Sequence, residues 1–305
     1  MRVAFQMDAL SRLNLATDTT LMLAEEALAR GFTCYHYRPD QLSWRDGALV
    51  APLCALTYTG GQWQLGAPAT TALDTMDVIW MRQDPPFDLR YITACHLLEL
   101  LPPTTRVVND PHGVRNAPEK LAPLAFRTFM PPTLISLDLN EILDFTRDHG
   151  TIVAKPLYGY GGRSVFKYSA GESNIDTLVE MLAERGEEPW MWQQFLPAVA
   201  TSDKRILLID GQVASVFQRR PAEGSIRANM RVGGTPEKAT LTPREEEICT
   251  AVAPSLHQQG ILLAGLDVIG DHLTEINVTS PTGLRAAQAL YGTNLAATLW
   301  DHLSG

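Results

Sequence analysis

The length and composition of the chain indicate a globular protein with two or three subdomains. The chain has 305 residues, of which 45% are hydrophobic and 19% charged, with no polar tract typical of disorder. A formal charge of -9 argues against general affinity for nucleic acid or an anionic membrane surface. The apolar runs are too short to span a bilayer, and Asp8 comes too early for the apolar part of a signal peptide. We therefore expect a cytoplasmic protein that binds neither nucleic acid nor membrane.

Strand and helix patterns alternate up to about residue 115. Strands are predicted at Val3–Met7, Thr33–Tyr37, Val78–Met81 and Arg106–Val108, and helices at Thr19–Arg30 and Tyr91–Leu101. A hairpin excursion is predicted over residues 41–66, with turns at Asp46-Gly47 and Gly60-Gly61. This order predicts an N-terminal open, mostly parallel α/β sheet over residues 1–115.

Two further units are predicted, at residues 116–191 and 192–305. In the first, helices are predicted at Glu119–Phe126, Leu139–His149 and Leu178–Arg185, and strands at Thr151–Lys155, Ser164–Tyr168 and Trp190–Phe195. In the second, hairpins are predicted at 204–219, around Asp210-Gly211, and at 262–278, with a helix at Pro243–Gln259 between them. Residues 221–234 are polar and basic, and we expect them to form a mobile loop.

A glycine-rich turn joins two predicted strands after Lys155. It contains Gly159, Gly161 and Gly162, whose backbone N–H groups can face an anion without obstruction by a Cβ atom. Lys155 would add a positive charge, so the turn could close over nucleotide phosphates. The alternative is a tight turn beside a surface lysine, and the residues of this segment alone do not decide between the two.

The segment with the strongest chemical pattern lies near the C-terminus. Glu275 and Asn277 alternate along a predicted strand and therefore share one face, and a hairpin brings Asp267 alongside them. Two carboxylates and an amide oxygen suit Mg²⁺ that also binds substrate phosphates. A solvent-facing polar stripe is the alternative, but the adjoining Ser280-Pro281-Thr282 turn and the upstream lysines favour a metal site.

Basic residues along the chain could balance the charge of a polyphosphate. Lys120, Lys155, Arg205 and the arginines of 219–231 are candidates, although Arg219, Arg220 and Arg244 taken singly are predicted to be surface charges. Arg82 follows a buried strand, where α/β sheets place ligand-contacting residues. No Walker loop, paired-histidine zinc site or Gly-x-Ser-x-Gly elbow occurs, so a zinc or histidine-nucleophile mechanism has no support in the sequence.

Together these motifs resemble those of the bacterial glutathione synthetases, which are ATP-grasp ligases. The resemblance runs nearly end to end, and its most specific strings are Arg82-Gln83-Asp84-Pro85-Pro86-Phe87-Asp88 and residues 274–282, Thr-Glu-Ile-Asn-Val-Thr-Ser-Pro-Thr. It implies an ATP-grasp fold after an N-terminal α/β domain on the substrate side, residues 1–115, with residues 116–191 as the central lid subdomain and 192–305 as the C-terminal subdomain.

The resemblance also implies a role for each matching residue. Lys120, Lys155, Gly161 and Gly162 would bind ATP phosphates, Gln193, Gln194, Phe195 and Leu196 the adenine, and Asp203 the ribose. Asp267, Glu275 and Asn277 would hold Mg²⁺, with Mn²⁺ as a possible substitute. Arg205 would steady the transferring phosphoryl group, while Arg227 and Asn229 would close a loop over the site. Asn14, Arg82, Ser280 and Thr282 would bind the peptide substrate.

The reaction implied by the resemblance joins γ-glutamylcysteine and glycine through an acyl phosphate, releasing ADP and phosphate. A homotetramer is also implied. The sequence departs from the family pattern at Ala9, at Thr17, in the loop between Arg227 and Asn229, and at Ala286-Ala287, where a carboxylate is often found. Two alternatives therefore stay open: an ATP-grasp ligase acting on another carboxylate and amine, and a nucleotide-binding module without turnover.

Overall fold

The computed structural model describes residues 1–162, 164–172, 174–184, 188–220 and 234–304. Its strands are β1 Arg2–Gln6, β2 Thr33–Tyr37, β3 Ser43–Arg45, β4 Ala48–Thr59, β5 Gln62–Leu65, β6 Ala69–Ala72, β7 Val78–Met81, β8 Arg106–Val108, β9 Thr133–Ser136, β10 Thr151–Pro156, β11 Phe166–Ser169, β12 Trp190–Gln194, β13 Asp203–Ile209, β14 Gln212–Arg220, β15 Thr235–Lys238, β16 Leu263–Ile269 and β17 His272–Asn277. Its α-helices are α1 Thr19–Ala29, α2 Leu89–Leu98, α3 Pro111–Asn116, α4 Leu139–His149, α5 Ile175–Glu184, α6 Pro243–Gln258, α7 Leu284–Tyr291 and α8 Leu295–Ser304. No helix among these residues is long and apolar enough to cross a membrane.

The N-terminal sheet has a parallel centre in the order β2-β1-β7-β8. Its strands are apolar on both faces because both faces are covered by helices. Val3, Phe5 and Trp80 pack with α1 and α8, whereas Ala4 and Ile79 pack with α2 and α3. The mostly parallel sheet expected from the sequence is therefore present at the centre, and the C-terminal helix returns to support it.

The predicted excursion extends this sheet with antiparallel strands. The twelve-residue β4 pairs with β2, β3, β5 and β6. Asp46-Gly47 and Gly60-Gly61 both have positive φ at both positions, as the tightest hairpin turns require. Both predicted turns are confirmed.

The second sheet has the order β11-β10-β12-β9, with all pairs antiparallel. One face packs against α4 and α5 through Ile152, Ala154 and Trp192. Because side chains alternate along a strand, Val153, Lys155 and Gln193 lie on the opposite face. This sheet therefore has one face in the core and an opposite face that carries Lys155 and Gln193.

The third sheet has the order β15-β14-β13-β16-β17 and is also antiparallel. Ile206, Leu266 and Ile276 project toward α6, which begins with a Thr242/Glu245 capping box. Asn109, at the end of β8, bonds to the backbone of Leu263 and Val278 and so joins this sheet to the N-terminal one. The opposite face of the third sheet carries the polar residues described below.

One predicted helix was wrong in type and position. Residues 122–129 form a 3-10 segment with non-helical backbone at Phe126, and Pro123 has no N–H to donate to a longer helix. Strands β6, β9 and β15 and helices α3, α7 and α8 were not predicted. The division at 115/116 and 191/192 stays a prediction; β12 spans positions 191 and 192.

Candidate active site

The predicted metal residues lie side by side on the third sheet. Asp267 is opposite Glu275 and Gly265 is opposite Asn277 in the antiparallel β16–β17 pair. Directly opposed residues project to the same face, and Asn277 Nδ2 lies 3.4 Å from Asp267 Oδ2. A bulge at Thr274, whose hydroxyl donates to the carbonyl oxygen of Asp267 at 3.0 Å, sets this register.

Two buried arginines hold Asp267. Arg205 donates through Nε at 2.6 Å and Nη2 at 3.1 Å, and Arg219 Nη1 lies at 3.3 Å. Burial by itself would raise the pKa of Asp267, but the two guanidinium groups hold this pKa below its usual value. Asp267 is therefore a fixed anion at the centre of the sheet.

Arg219 corrects one prediction made from the sequence. It is 5% exposed and binds Asp203, with Nε at 2.9 Å from Oδ1, as well as Asp267. Burial raises the pKa of Asp203, although Arg219 acts in the opposite direction. Arg219 was predicted to be a surface charge because the sequence does not show that β14 turns this side chain toward β13 and β16. Period-two alternation from buried Phe217 was the available signal.

Gly265 leaves the space that Arg205 occupies. A Cβ atom at this position would lie 2.8 Å from Arg205 Nη1 and 3.2 Å from its Cδ. Arg205 Nη1 also donates to the carbonyl oxygen of Thr282 at 3.4 Å. The Gly265-Leu266-Asp267 string therefore supplies the carboxylate of Asp267 and, at Gly265, the space for the Arg205 side chain that binds it.

Lys120 reaches the same face from outside the sheet. Its ammonium donates to Glu119 and to the carbonyl oxygen of Gly159 at 2.5 Å, and lies 3.8 Å from Glu275 Oε1. Burial disfavours the charged lysine, but Glu275 and Glu119 raise the pKa of Lys120. Burial and the charge of Glu275 raise the pKa of Glu119 to about 7. Glu119 was quoted from the sequence only beside Lys120, with no role of its own.

Lys155 lies on the face of the second sheet opposite α4 and α5, and its ammonium donates to Gln193 Oε1 at 2.9 Å. Gln193 Nε2 in turn donates to Thr133 at 3.0 Å, so the side-chain amide is oriented on both sides. Burial lowers the pKa of Lys155. Phe195 lies just beyond β12, with the ammonium of Lys167 4.1 Å from its ring centre. Lys155 is not the surface lysine of the alternative interpretation.

The glycine turn lies against the N-terminal domain. Gly161 and Gly162 have positive φ, and a Cβ atom at Gly159 would lie 2.4 Å from Pro156 Cγ. Tyr158 stacks on Phe87 with ring centres 6.2 Å apart. The turn therefore extends from the lysines to the Asp84-Pro85-Pro86-Phe87 segment.

A cleft with a cavity volume of about 50 Å³ lies between the N-terminal sheet and the third sheet. Its lining residues are Asp84, Pro85, Glu119, Tyr160, Gly161, Arg205, Asn277, Thr279, Ser280, Pro281 and Thr282. Arg82 is buried next to it and donates to Thr20 and to the carbonyl oxygen of Pro281 at 2.9 Å. The Asp-Pro-Pro-Phe and Ser-Pro-Thr strings, distant in sequence, are therefore the two walls of one cleft.

Not every predicted site residue reaches this cleft. Asn14 is exposed, does not line the cavity, and accepts a hydrogen bond from the backbone of Ala16. Gln194 is the last residue of β12, and Leu196 lies in the segment between β12 and β13. Arg227 and Asn229, and the predicted mobile loop except residue 234, lie outside the described residues.

The donor set fits a magnesium ion that shares its coordination with phosphates. Asp267, Glu275 and Asn277 present hard oxygen atoms on one face, and Mg²⁺ takes few protein ligands when phosphates bind it. Among the described residues, no group of three or more histidine, cysteine or acidic side chains is arranged to hold a metal by itself. The set therefore suits an ion delivered with a nucleotide better than a permanently bound one.

Comparison with known proteins places the whole chain in one family. The profile of the prokaryotic glutathione synthetase N-terminal domain matches residues 1–115, and that of the family's ATP-grasp domain matches residues 119–292. The glutathione synthetase of Brucella melitensis biotype 1 is 49% identical over 304 residues, covering 99% of this chain and 97% of the relative. That of Agrobacterium fabrum is 47% identical over 302 residues, covering 98% and 95%.

Solved structures support the fold. The D-cycloserine synthetase DcsG has a TM-score of 0.68 at 14% identity, covering 99% of this chain and 100% of the other. The ATP-grasp ligase PsnB, complexed with a minimal precursor, Mg and ADP, has a TM-score of 0.63 at 17% identity, covering 99% and 97%. At such identities the likeness concerns the ATP-grasp fold alone. By its two domain matches and its full-length relatives, the chain belongs to the prokaryotic glutathione synthetase family.

Proposed function

We propose that this chain is an ATP-dependent ligase that joins γ-glutamylcysteine and glycine to give glutathione, ADP and phosphate. The observation that carries the proposal is the polar face of the third sheet. The chain belongs to this family, and its Asp267, Glu275 and Asn277 share one face of the β16–β17 hairpin. The ammonium of Lys120 lies 3.8 Å from Glu275, and the cleft leads from these residues to Arg82. These groups suit two substrates that meet at a phosphoryl group.

On the nucleotide side, Lys120, Lys155 and the Gly161-Gly162 turn would bind the phosphates. Gln193, Gln194, Phe195 and Leu196 would line the adenine pocket and Asp203 would approach the ribose. Asp203 accepts a hydrogen bond from Arg219, so this contact would have to be shared or exchanged. The orientation of Gln193 by Lys155 and Thr133 supports its place in a polar recognition site.

Asp267, Glu275 and Asn277 would hold Mg²⁺, for which Mn²⁺ could substitute. The bound ion would supply neutralisation of the phosphate charge. Arg205 lies beside these ligands and lines the cavity, where its guanidinium could steady the transferring phosphoryl group.

The chemistry needs alignment more than a protein nucleophile. The cysteinyl carboxylate of γ-glutamylcysteine attacks the γ-phosphorus of ATP, forming an acyl phosphate and releasing ADP. The glycine amine then attacks the acyl carbon, the amide bond forms, and phosphate leaves. Arg82, Ser280, Thr282 and Asn14 would bind the peptide, while Arg227 and Asn229 would exclude water from the acyl phosphate.

The departures from the family sequence pattern bear most on which two substrates are joined. At Ala286-Ala287, where a family carboxylate is often found, Ala286 is half-buried and Ala287 fully buried, and the neighbouring Arg285 pairs with Glu25 at 2.6 Å. Glu25 therefore provides an acidic group near this helix, supplied by α1. The division into three units, a homotetramer and a cytoplasmic location also remain proposals.

Mg²⁺-dependent ADP formation tests the function directly. Purified protein would be given ATP and γ-glutamylcysteine, with glycine or other amines added one at a time. Turnover that requires both γ-glutamylcysteine and glycine supports the proposal. Turnover only with another pair would identify a different ATP-grasp ligase activity. ATP binding without turnover for any pair would favour a nucleotide-binding module.

A further inference from the structure

Three protein groups surround the ammonium of Lys120. Its Nζ donates to the carboxylate of Glu119 and to the carbonyl oxygen of Gly159 at 2.5 Å, and lies 3.8 Å from Glu275 Oε1. A lysine ammonium has three N–H donors; Glu119 and Gly159 accept two of them, while Glu275 interacts with the ammonium as a nearby charge. The Lys120 side chain is 4% exposed, which leaves little room for water as a competing partner.

Two of these three groups have other proposed roles. Gly159 belongs to the turn that would fold over the phosphates, and Glu275 would bind the metal ion. Glu119 has neither task, and its main chain is fixed. Its carbonyl oxygen accepts a hydrogen bond from the N–H of Ile276 at 3.0 Å, in the strand between Glu275 and Asn277.

The geometry points to Glu119 as a positioning residue. We propose that it holds the Lys120 ammonium against the metal-binding hairpin, and that Lys120 keeps this contact while exchanging Gly159 for a nucleotide phosphate. The inference rests on the proposed function through the assignment of Lys120 to the phosphates. It names Glu119 as the group that makes that lysine effective.

The physical reason is preorganisation. Lysine has a long flexible stem, and ordering it only when the nucleotide binds would cost affinity. A buried carboxylate attached to the hairpin fixes the ammonium beforehand, close to the carboxylates that would hold the metal ion. Release of Gly159 would then free the glycine turn at the moment when Lys120 engages phosphate, so one exchange would link nucleotide entry to movement of the turn.

A double-mutant cycle on nucleotide binding tests this. The dissociation constant of ADP would be measured by titration calorimetry with Mg²⁺ for the wild type, Glu119→Gln, Lys120→Ala and the double variant. Glutamine keeps an oxygen acceptor but loses the charge. We expect each single variant to bind ADP about tenfold more weakly, as for loss of a hydrogen bond to a charged group. If Glu119 acts through Lys120, the double variant matches Lys120→Ala.

The controls separate positioning from folding. Glu246→Gln, on the exposed side of α6, should leave ADP affinity unchanged. Glu119→Asp keeps the charge and should restore part of the affinity lost in Glu119→Gln. Thermal unfolding without nucleotide shows whether each variant is folded; a purely structural role would lower the melting temperature without changing ADP affinity of the folded protein.

Each other outcome has a distinct meaning. Weakening in Lys120→Ala but not in Glu119→Gln, or additive losses in the double variant, would overturn the role of Glu119 and leave the proposed function intact. Unchanged affinity in Lys120→Ala would overturn both the role and the phosphate assignment on which it rests. Failure of the wild type to turn over any substrate pair, with the cycle behaving as expected, would overturn the ligase proposal alone.

Discussion

Replacing Asp267 by asparagine removes the carboxylate that two buried guanidinium groups share. Arg205 would then keep one hydrogen bond to the amide oxygen and the 3.4 Å hydrogen bond from its Nη1 to the carbonyl oxygen of Thr282, but would lose the charge that balances its own. Arg219 would keep Asp203. The new amide group would also bring a donor toward guanidinium groups that can only donate. The variant therefore leaves one buried charge, that of Arg205, without its counter-ion.

The expected cost follows from that one charge. Removing a single partner of a buried ion pair costs about 3–5 kcal/mol, and the side chains of Arg205 and Asp267 are each 7% exposed, so solvent cannot compensate. Because Arg219 retains Asp203, we expect the lower end of this range, about 3 kcal/mol of the free energy of unfolding. Urea unfolding without nucleotide, followed by circular dichroism and tryptophan fluorescence, measures it.

Asp40→Asn is the matched control. It breaks the Arg38–Asp40 pair, whose side chains are 46% and 69% exposed, and exposed pairs contribute little to stability. We expect its urea midpoint to equal that of the wild type. A midpoint for Asp267→Asn as high as that of Asp40→Asn would show that the buried arginines do not depend on this carboxylate, and the electrostatic account of the site would be wrong.

Three further outcomes are expected. Glu275→Ala or Asn277→Ala should abolish Mg²⁺-dependent ADP formation while leaving the melting temperature close to that of the wild type; normal turnover at ordinary Mg²⁺ would contradict the metal assignment. The pKa of Glu119 rises from 4.5 to about 7 on folding. Protonation of Glu119 therefore stabilises the folded protein fully at pH values below 4.5, and this stabilisation is lost as the pH rises through about 7. The urea midpoint of the wild type should therefore fall relative to that of Glu119→Gln from about pH 5 to about pH 8, and a constant difference would refute this. Gly265→Ala should displace Arg205, whose Nη1 would lie 2.8 Å from the new Cβ, and lower kcat at least tenfold; an unchanged kcat would mean that Arg205 can move without consequence.

Local sequence pattern was sufficient to predict most of the strands and the hairpins that join them. Period-two alternation placed Glu275 and Asn277 on one face, and the Asp210-Gly211 turn predicted the β13–β14 hairpin, because both depend on neighbouring residues. The family resemblance, carried by strings such as Thr-Glu-Ile-Asn-Val-Thr-Ser-Pro-Thr, is likewise a property of contiguous sequence and was confirmed by the comparisons. Strand β9 was missed since only its partner β12 makes it a strand.

The tertiary structure decided which charged side chains are partners. Nothing in the sequence pairs Arg219 with Asp203 and Asp267, or Lys120 with Glu275, since such contacts depend on how separate elements pack. Burial then determines what each charge can do: it lowers the pKa of Lys155, raises that of Glu119, and leaves that of Asp267 low only because two arginines reach it. The sequence by itself determined which chemical groups are present and which strands carry them, while the packing of three sheets determined which groups meet and in which state of charge.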